Sequence, residues 1–277
     1  MAAGAMAAAA PALARADDDS YPLWEVRDAD AKVFLFGDGS SVSDPWRSAR
    51  IEAAFNQSAV FWKETPDPAP GDMAKYVAKG LDKAHPLSTW LTPEQRDRVA
   101  AAAVSAGTTY AFLEPLQPWL AVGALSSAYA QHQKPLPDPL PVLTAAAKNA
   151  GKPIRTEYPD IDSLIAWASG MSHAAQVQYL MYTIETNEAG PVTLERRAAW
   201  AAGDFRLEAQ RVAHLKAAYP DLYEPLEADR DRRWPARFRT MLDGGGTTFV
   251  LVGADHLVGP DSVLVQLNAA GMRARRI

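Results

Sequence analysis

The chain has 277 residues, 48% of them hydrophobic and 22% charged, enough apolar material for one large domain or two small ones and too much for general disorder. A formal net charge of -5 offers no broad basic field for nucleic acid. No cysteine is present, so disulfides, thiolate metal centres and a cysteine nucleophile are excluded, and any metal has to be held by histidine or carboxylate.

Residues 1–20 form an alanine-rich apolar run ending in the small-x-small patterns "ALA" and "ARA", which reads as an export signal and points to a periplasmic or secreted protein. Its basic leading region is missing, so an unprocessed tail is the other reading. The run is too short to span a bilayer, and no later stretch reaches the roughly 18 apolar residues a transmembrane helix needs.

The remainder, 21–277, is expected to form one domain. "KVFLF" (Lys32–Phe36) has the β-branched and aromatic content of a buried strand. A helix follows over "DPWRSARIEAAFNQS", with Asp44 as N-cap and Pro45 in the first turn. "AVFW" (Ala59–Trp62) is a second strand, with Lys63 and Glu64 at its exit.

The middle of the chain is mainly helical. "TPEQRDRVAAAAVSAG" opens on a capping box of Thr92 and Gln95 and stops at Gly107. Helical apolar periodicity also runs through "SHAAQVQYLMYTIETNE", "TLERRAAWAAGDFRLEAQRVAHLKAAY" and "EADRDRRWPARFRTML", and proline clusters at "TPDPAPGD" and "KPLPDPLP" mark loops. Near the C-terminus the opening order returns: strand "TFVLV" (Thr248–Val252), turn "GADHLVG", a helix from Pro260, and after Gly271 a last strand within "MRARRI". Two such βαβ units about 215 residues apart predict an α/β (α+β) fold. Its central mixed sheet carries both strand-turn elements side by side, covered by the helical middle region. Side chains at the carboxyl ends of neighbouring parallel strands converge on one crevice.

Gly37 and Gly253 end the paired strands, where a missing β-carbon permits close backbone approach, and the residue three positions on is Ser40 in one unit and His256 in the other. Histidine can ligate a metal or act as a base; serine is a poor ligand. A lone histidine after a strand is also commonly just hydrogen-bonded structure, and only the repeated turn singles His256 out. His85 and His132, in or near loops, and His173 and His214, on helices, lack that support. Glu64 and Glu157 each follow a β-like run and could reach the crevice, although solvated loop glutamates are common. Arg230 sits among Asp229, Asp231 and Arg232, which by themselves make a solvated charge ladder. "GDGSS" lacks the lysine of a P-loop, and "DGGGTT" precedes a strand, so a nucleotide site is not favoured; the latter reads as a helix stop.

Seen together, "PLWEV" (Pro22–Val26), "VFLFGDGS", "VFWKE", "LQPWLA" (Leu116–Ala121), "KPIRTE", "AWAAGD" (Ala199–Asp204), "EADRDRRW" and above all "FVLVGADHLVGPDSVLVQL" resemble the TraB/GumN group, which is related to the Tiki metalloproteases. The resemblance implies an α/β fold with paired GxxH turns and, for intact members, a metal-dependent hydrolase. Carried over by position, it implies Gly253 and His256 from the second GxxH, Gly37 from the first, Glu64 and Glu157 as the two glutamates, and Arg230 as the helix arginine. His256 and Glu64 are then the implied metal ligands. The first motif ends at Ser40 instead of histidine, which removes a nitrogen donor from a site where a divalent transition metal wants about three protein ligands. Asp38 or Asp255 could supply an oxygen, although each is expected to point away from its motif neighbour.

Two functions therefore stand. One is an exported hydrolase of peptide or related amide or ester bonds using weakly held Mn, Co or Zn. The other is a catalytically inactive binding or regulatory protein on the same scaffold, its metal weak or absent. The partner is a peptide or small molecule, not nucleic acid.

Overall fold

The computed structural model describes residues 21–38, 48–132, 138–189 and 194–277; the N-terminal run, the Asp44–Pro45 pair and Ser40 lie outside them. The described residues contain a six-stranded sheet with strands β1 (Leu23–Arg27), β2 (Ala31–Asp38), β3 (Val60–Lys63), β4 (Ile154–Thr156), β5 (Gly246–Gly253) and β6 (Arg275–Arg276). Their order is β4-β3-β5-β2-β1-β6. The outer strands β1 and β6 run antiparallel, while β2, β5, β3 and β4 are mutually parallel neighbours.

The two strand-turn units thus lie side by side, as their repetition predicts. Phe34 is level with Phe249 and Asp38 with Gly253, so the glycines at 37 and 253 are offset by one position. β1 is a strand that the sequence pattern does not predict. An Asx turn makes it possible: Asp28 Oδ1 accepts from the backbone N–H of Asp30 (3.2 Å) and Ala31 (2.8 Å), folding β1 back on β2.

Strands β2 and β5 are apolar without interruption because both faces of the sheet are covered. On one face Phe34, Phe36 and Phe249 meet Ile51, Ala54 and Phe55 of the helix Ala49–Gln57, with Phe55 edge-on to Phe249 at 5.5 Å between ring centroids. On the other, Val33, Leu35, Val250 and Val252 meet Trp234 and Phe238 of the helix Trp234–Asp243 and Val263 and Leu267 of the helix Val263–Ala269. A separate helical core, centred on Leu125, Leu180 and Leu215, is built from the middle of the chain.

The capping box of Thr92 and Gln95 forms with both of its bonds, and "DGGG" stops its helix through Gly245 and Gly246 at positive φ. Three expected helices are divided or shortened. The long periodic run from Thr193 breaks at Gly203 (φ 68°) into Leu194–Ala201 and Arg206–Ala218. The helix expected from Pro260 starts at Val263. The run containing Arg230 is broken into a π-helical turn (Glu224–Ala228), a single helical turn (Asp229–Asp231) and Trp234–Asp243. Pro225, which has no N–H to donate, sits in the π turn. No helix among the described residues is long and apolar enough to cross a membrane.

Candidate functional site

The carboxyl ends of β2, β3 and β5 open on a cavity of about 310 Å³, closed from above by the π-helical turn and the helix Arg206–Ala218. The two motif glycines fit it by close approach. A β-carbon on Gly37 would stand 2.5 Å from Leu257 Cδ1 and 2.9 Å from Trp200 Cη2. At Gly253 it would collide with Asp255 Oδ1 and press on Glu64 Oε1 at 3.4 Å.

Glu64, the residue after β3, is held at both oxygens. Oε1 accepts from the backbone N–H of Gly253 at 2.6 Å, and Oε2 accepts from Arg230 Nη2 at 2.5 Å. Burial alone would raise its pKa, but the positive charge of Arg230 and the contact with His256 outweigh that and keep it well below the usual carboxylate range. Arg230, itself buried, also grips Glu157 through Nε (3.2 and 3.3 Å) and Nη2 (2.6 Å). Glu157 is brought beside Glu64 because its backbone N–H donates to the carbonyls of Lys63 and Glu64 as β4 ends.

His256 lies in a 3₁₀ turn, Ala254–Leu257, and is 2% exposed. Its Nδ1 meets Asp231 Oδ1 at 2.7 Å and Glu227 Oε2 at 3.2 Å; its Nε2 stands 3.6 Å from Glu64 Oε2, beyond direct hydrogen-bond length. Burial and Arg230 disfavour a charged imidazole here, yet Glu227, Asp231 and Glu64 together hold its pKa well above the ordinary value. Burial raises Asp231 to about 6 and Glu227 to about 8, the latter helped by Asp255. Asp255 faces Arg211, whose Nη2 donates to it at 2.7 Å, and Arg211 keeps its pKa low against burial. Asp38, at the end of β2, is raised to about 8 by burial and by the charges of Asp138, Glu64 and Asp255.

The cleft therefore gathers Glu64, Arg230, Gly253 and His256 from distant segments of the chain, with Glu157 fully buried against Arg230, while Gly37 packs against Leu257 and Trp200 outside the lining. Ser40 is not described. The other histidines are engaged elsewhere: His85 with Asp82, His132 against Gly107, His173 against the Trp90 ring and His214 with Glu185. Reading the sequence missed Glu227, Asp231 and Arg211. Glu227 and Asp231 are four positions apart and 2% exposed, a spacing that puts them on one helix face.

A metal is implied by the family resemblance, and the donor set permits one. Ligand atoms of Glu227, Asp255 and His256 lie within 4.8 Å of one another, and the Glu227 carboxylate is buried. Nδ1 of His256 meets both Asp231 and Glu227, and Nε2 stands nearest Glu64, so carboxylates fix the orientation of the imidazole. Glu64, the other expected ligand, has Gly253 on one oxygen and Arg230 on the other.

Searches of curated proteins and of solved structures returned no match. The model of the TraB/PrgY/gumN family matches residues 22–276, and the chain belongs to that family.

Proposed function

We propose that the protein is a metal-dependent hydrolase of amide or ester bonds, exported by way of its N-terminal apolar run. The observation that carries this is the convergence of the buried Glu227 carboxylate with Asp255 and with an imidazole oriented by Asp231. Glu227, Asp255 and His256 would hold a divalent Mn, Co or Zn ion, which when bound supplies a Lewis acid and lowers the pKa of coordinated water.

The chain's own groups divide the remaining work. Glu64, ionised and fixed by Gly253 and Arg230, is too weak a base to keep a proton, so it orients a donor, either a water or a substrate N–H. Arg230 sets the carboxylate's position and places positive charge at the cleft wall, where negative charge on a reacting carbonyl oxygen is stabilised. Asp38, which retains its proton up to about pH 8, is the group able to protonate a leaving atom near neutrality.

The test is to strip the purified chain of metal, titrate Mn, Co and Zn by calorimetry, and assay a peptide pool by mass spectrometry with and without each metal. Metal-dependent cleavage abolished by H256A is the expected result. Absence of both bound metal and cleavage would overturn the reading.

A second reading, a binding or regulatory protein without turnover, is favoured by Ser40 in place of a motif histidine and by the clamp of Arg230 on Glu64. Ser40→His separates the two. If only that nitrogen is missing, the variant gains metal affinity over a wild type that binds weakly and does not turn over; tight metal binding and turnover by the unmodified chain remove this reading.

A further inference from the structure

Beside the polar cleft lies a second cavity, of about 340 Å³, walled by the rings of Tyr76, Trp119, Tyr158, Trp167 and Tyr179. Glu64, Thr65, Leu226 and Arg230 line both cavities, so a molecule seated among the rings continues directly into the cleft. The volume is at the low end of the roughly 300–1,000 Å³ typical of small-molecule sites, room for one ring-bearing side chain and its adjoining backbone.

The polar atoms of the wall narrow the choice of occupant. Trp119 Nε1 donates to Gln117 Oε1 (2.9 Å) and Trp167 Nε1 to the carbonyl of Pro225 (3.2 Å), so both indoles offer carbon surface to an occupant. Tyr158, 7% exposed, has its hydroxyl sealed from solvent, so its side chain offers an occupant no accessible polar atom. An aromatic cage for a cation is disfavoured, since the Arg230 guanidinium already lies 5.9 Å from the ring centroids of Tyr158 and Trp167 and occupies the attraction those rings offer.

We propose that this cavity is a specificity subsite for one neutral aromatic side chain of the substrate. The occupant is a peptide-like chain whose aromatic residue lies next to the bond held in the cleft. That adjacency rests on the hydrolase reading; binding of the ring does not.

Gly123 provides the decisive variant. It lines the cavity from the helix Pro118–His132, and a β-carbon built on it meets nothing within 4 Å, so Gly123→Ala keeps the space open and Gly123→Phe fills it without a backbone clash. Binding of N-acetyl-tyrosine amide, N-acetyl-phenylalanine amide, N-acetyl-glycine amide and tetramethylammonium to metal-stripped full chain is followed by calorimetry and by tryptophan fluorescence. Tyrosine amide should bind about tenfold or more tighter than glycine amide, as burial of an aromatic ring requires. G123F should erase that margin and G123A keep it. Equal binding of tyrosine and glycine amides, no effect of G123F, or tetramethylammonium binding best would each overturn the subsite. Because the protein carries no metal in these titrations, the ring preference can survive with metal binding and cleavage absent, which sinks the hydrolase reading alone. Metal-dependent cleavage without the preference sinks the subsite alone.

Discussion

Arg230→Met tests the electrostatic centre of the cleft. The guanidinium is 7% exposed, the Glu157 side chain it grips is fully buried, and Glu64 is 24% exposed. Methionine has similar length and fills the space, so the loss is chiefly of charge. Removing one partner of a buried ion pair costs about 3–5 kcal/mol, because the other charge is stranded. Here two carboxylates are stranded, although Glu157 keeps Arg237 Nη1 at 3.7 Å, which limits its share. We expect R230M to lose about 3–5 kcal/mol, read by urea unfolding followed by circular dichroism. Adding Glu157→Gln removes one stranded charge, and the double-mutant cycle should show coupling of about 1–3 kcal/mol.

The pH dependence gives a sharper sign. In the wild type Glu64 has a folded pKa below its unfolded value, so its contribution is present above roughly pH 4.3 and is lost as pH falls toward the folded value. Without Arg230 the raising effect of burial prevails, the folded pKa moves above the unfolded one, and stability falls as pH rises. The deficit of R230M should therefore be larger at pH 8 than at pH 4. A variant within about 0.5 kcal/mol of wild type, or a deficit that does not grow with pH, would refute the reasoning.

Gly37→Ala should cost about 1–3 kcal/mol by overpacking against Leu257 and the buried Trp200, measured in the same unfolding assay; a neutral result would mean that this contact relaxes freely. Asp38→Asn tests the raised carboxyl: above about pH 3.9 the unfolded chain releases a proton that folded Asp38 keeps up to about 8, so wild-type stability relative to D38N should decline across that window by up to about 1.4 kcal/mol per pH unit, and parallel pH profiles would contradict it. Glu227→Gln keeps the length and polarity of the side chain but cannot supply a carboxylate ligand. A metal ligand at this position predicts that E227Q loses the thermal shift that wild type gains in Mn at 100 times Kd, equivalent to about 2.7 kcal/mol; an undiminished shift would remove Glu227 from the ligand set.

The strands were legible where both faces are buried. "KVFLF" and "TFVLV" announce themselves by composition, and their repetition in a strand-turn-helix order was enough to place them side by side, which the parallel register of Phe34 with Phe249 bears out. β1 was harder to read. "LWEVR" mixes apolar and charged residues as an outer antiparallel strand does, and its buried Glu25 pairs with Lys32 and Arg275 as well as with Arg27, and the first two contacts depend on strand pairing. The glycines at 37 and 253 could be read as points of close approach, but what approaches them, Trp200 at one and Asp255 and Glu64 at the other, depends on the tertiary fold.

The acidic half of the cleft was hidden by its charge pattern. Taken as one regular helix, "EADRDRRWPARF" is a run of alternating charges of the kind that solvates a surface, and Asp231 beside Arg230 is simply a rung of that ladder. Glu227, Arg230 and Asp231, at positions i, i+3 and i+4, share the face that turns inward, while Asp229, Arg232 and Arg233 keep the solvent side and pair among themselves. Three charged side chains so close in sequence could not all be buried without partners. Arg230 finds Glu64 and Glu157, Asp231 finds His256 through a hydrogen bond, and Glu227 meets the same imidazole nitrogen at 3.2 Å. The face that turns inward is thus what brings the Glu227 carboxylate beside Asp255 and His256.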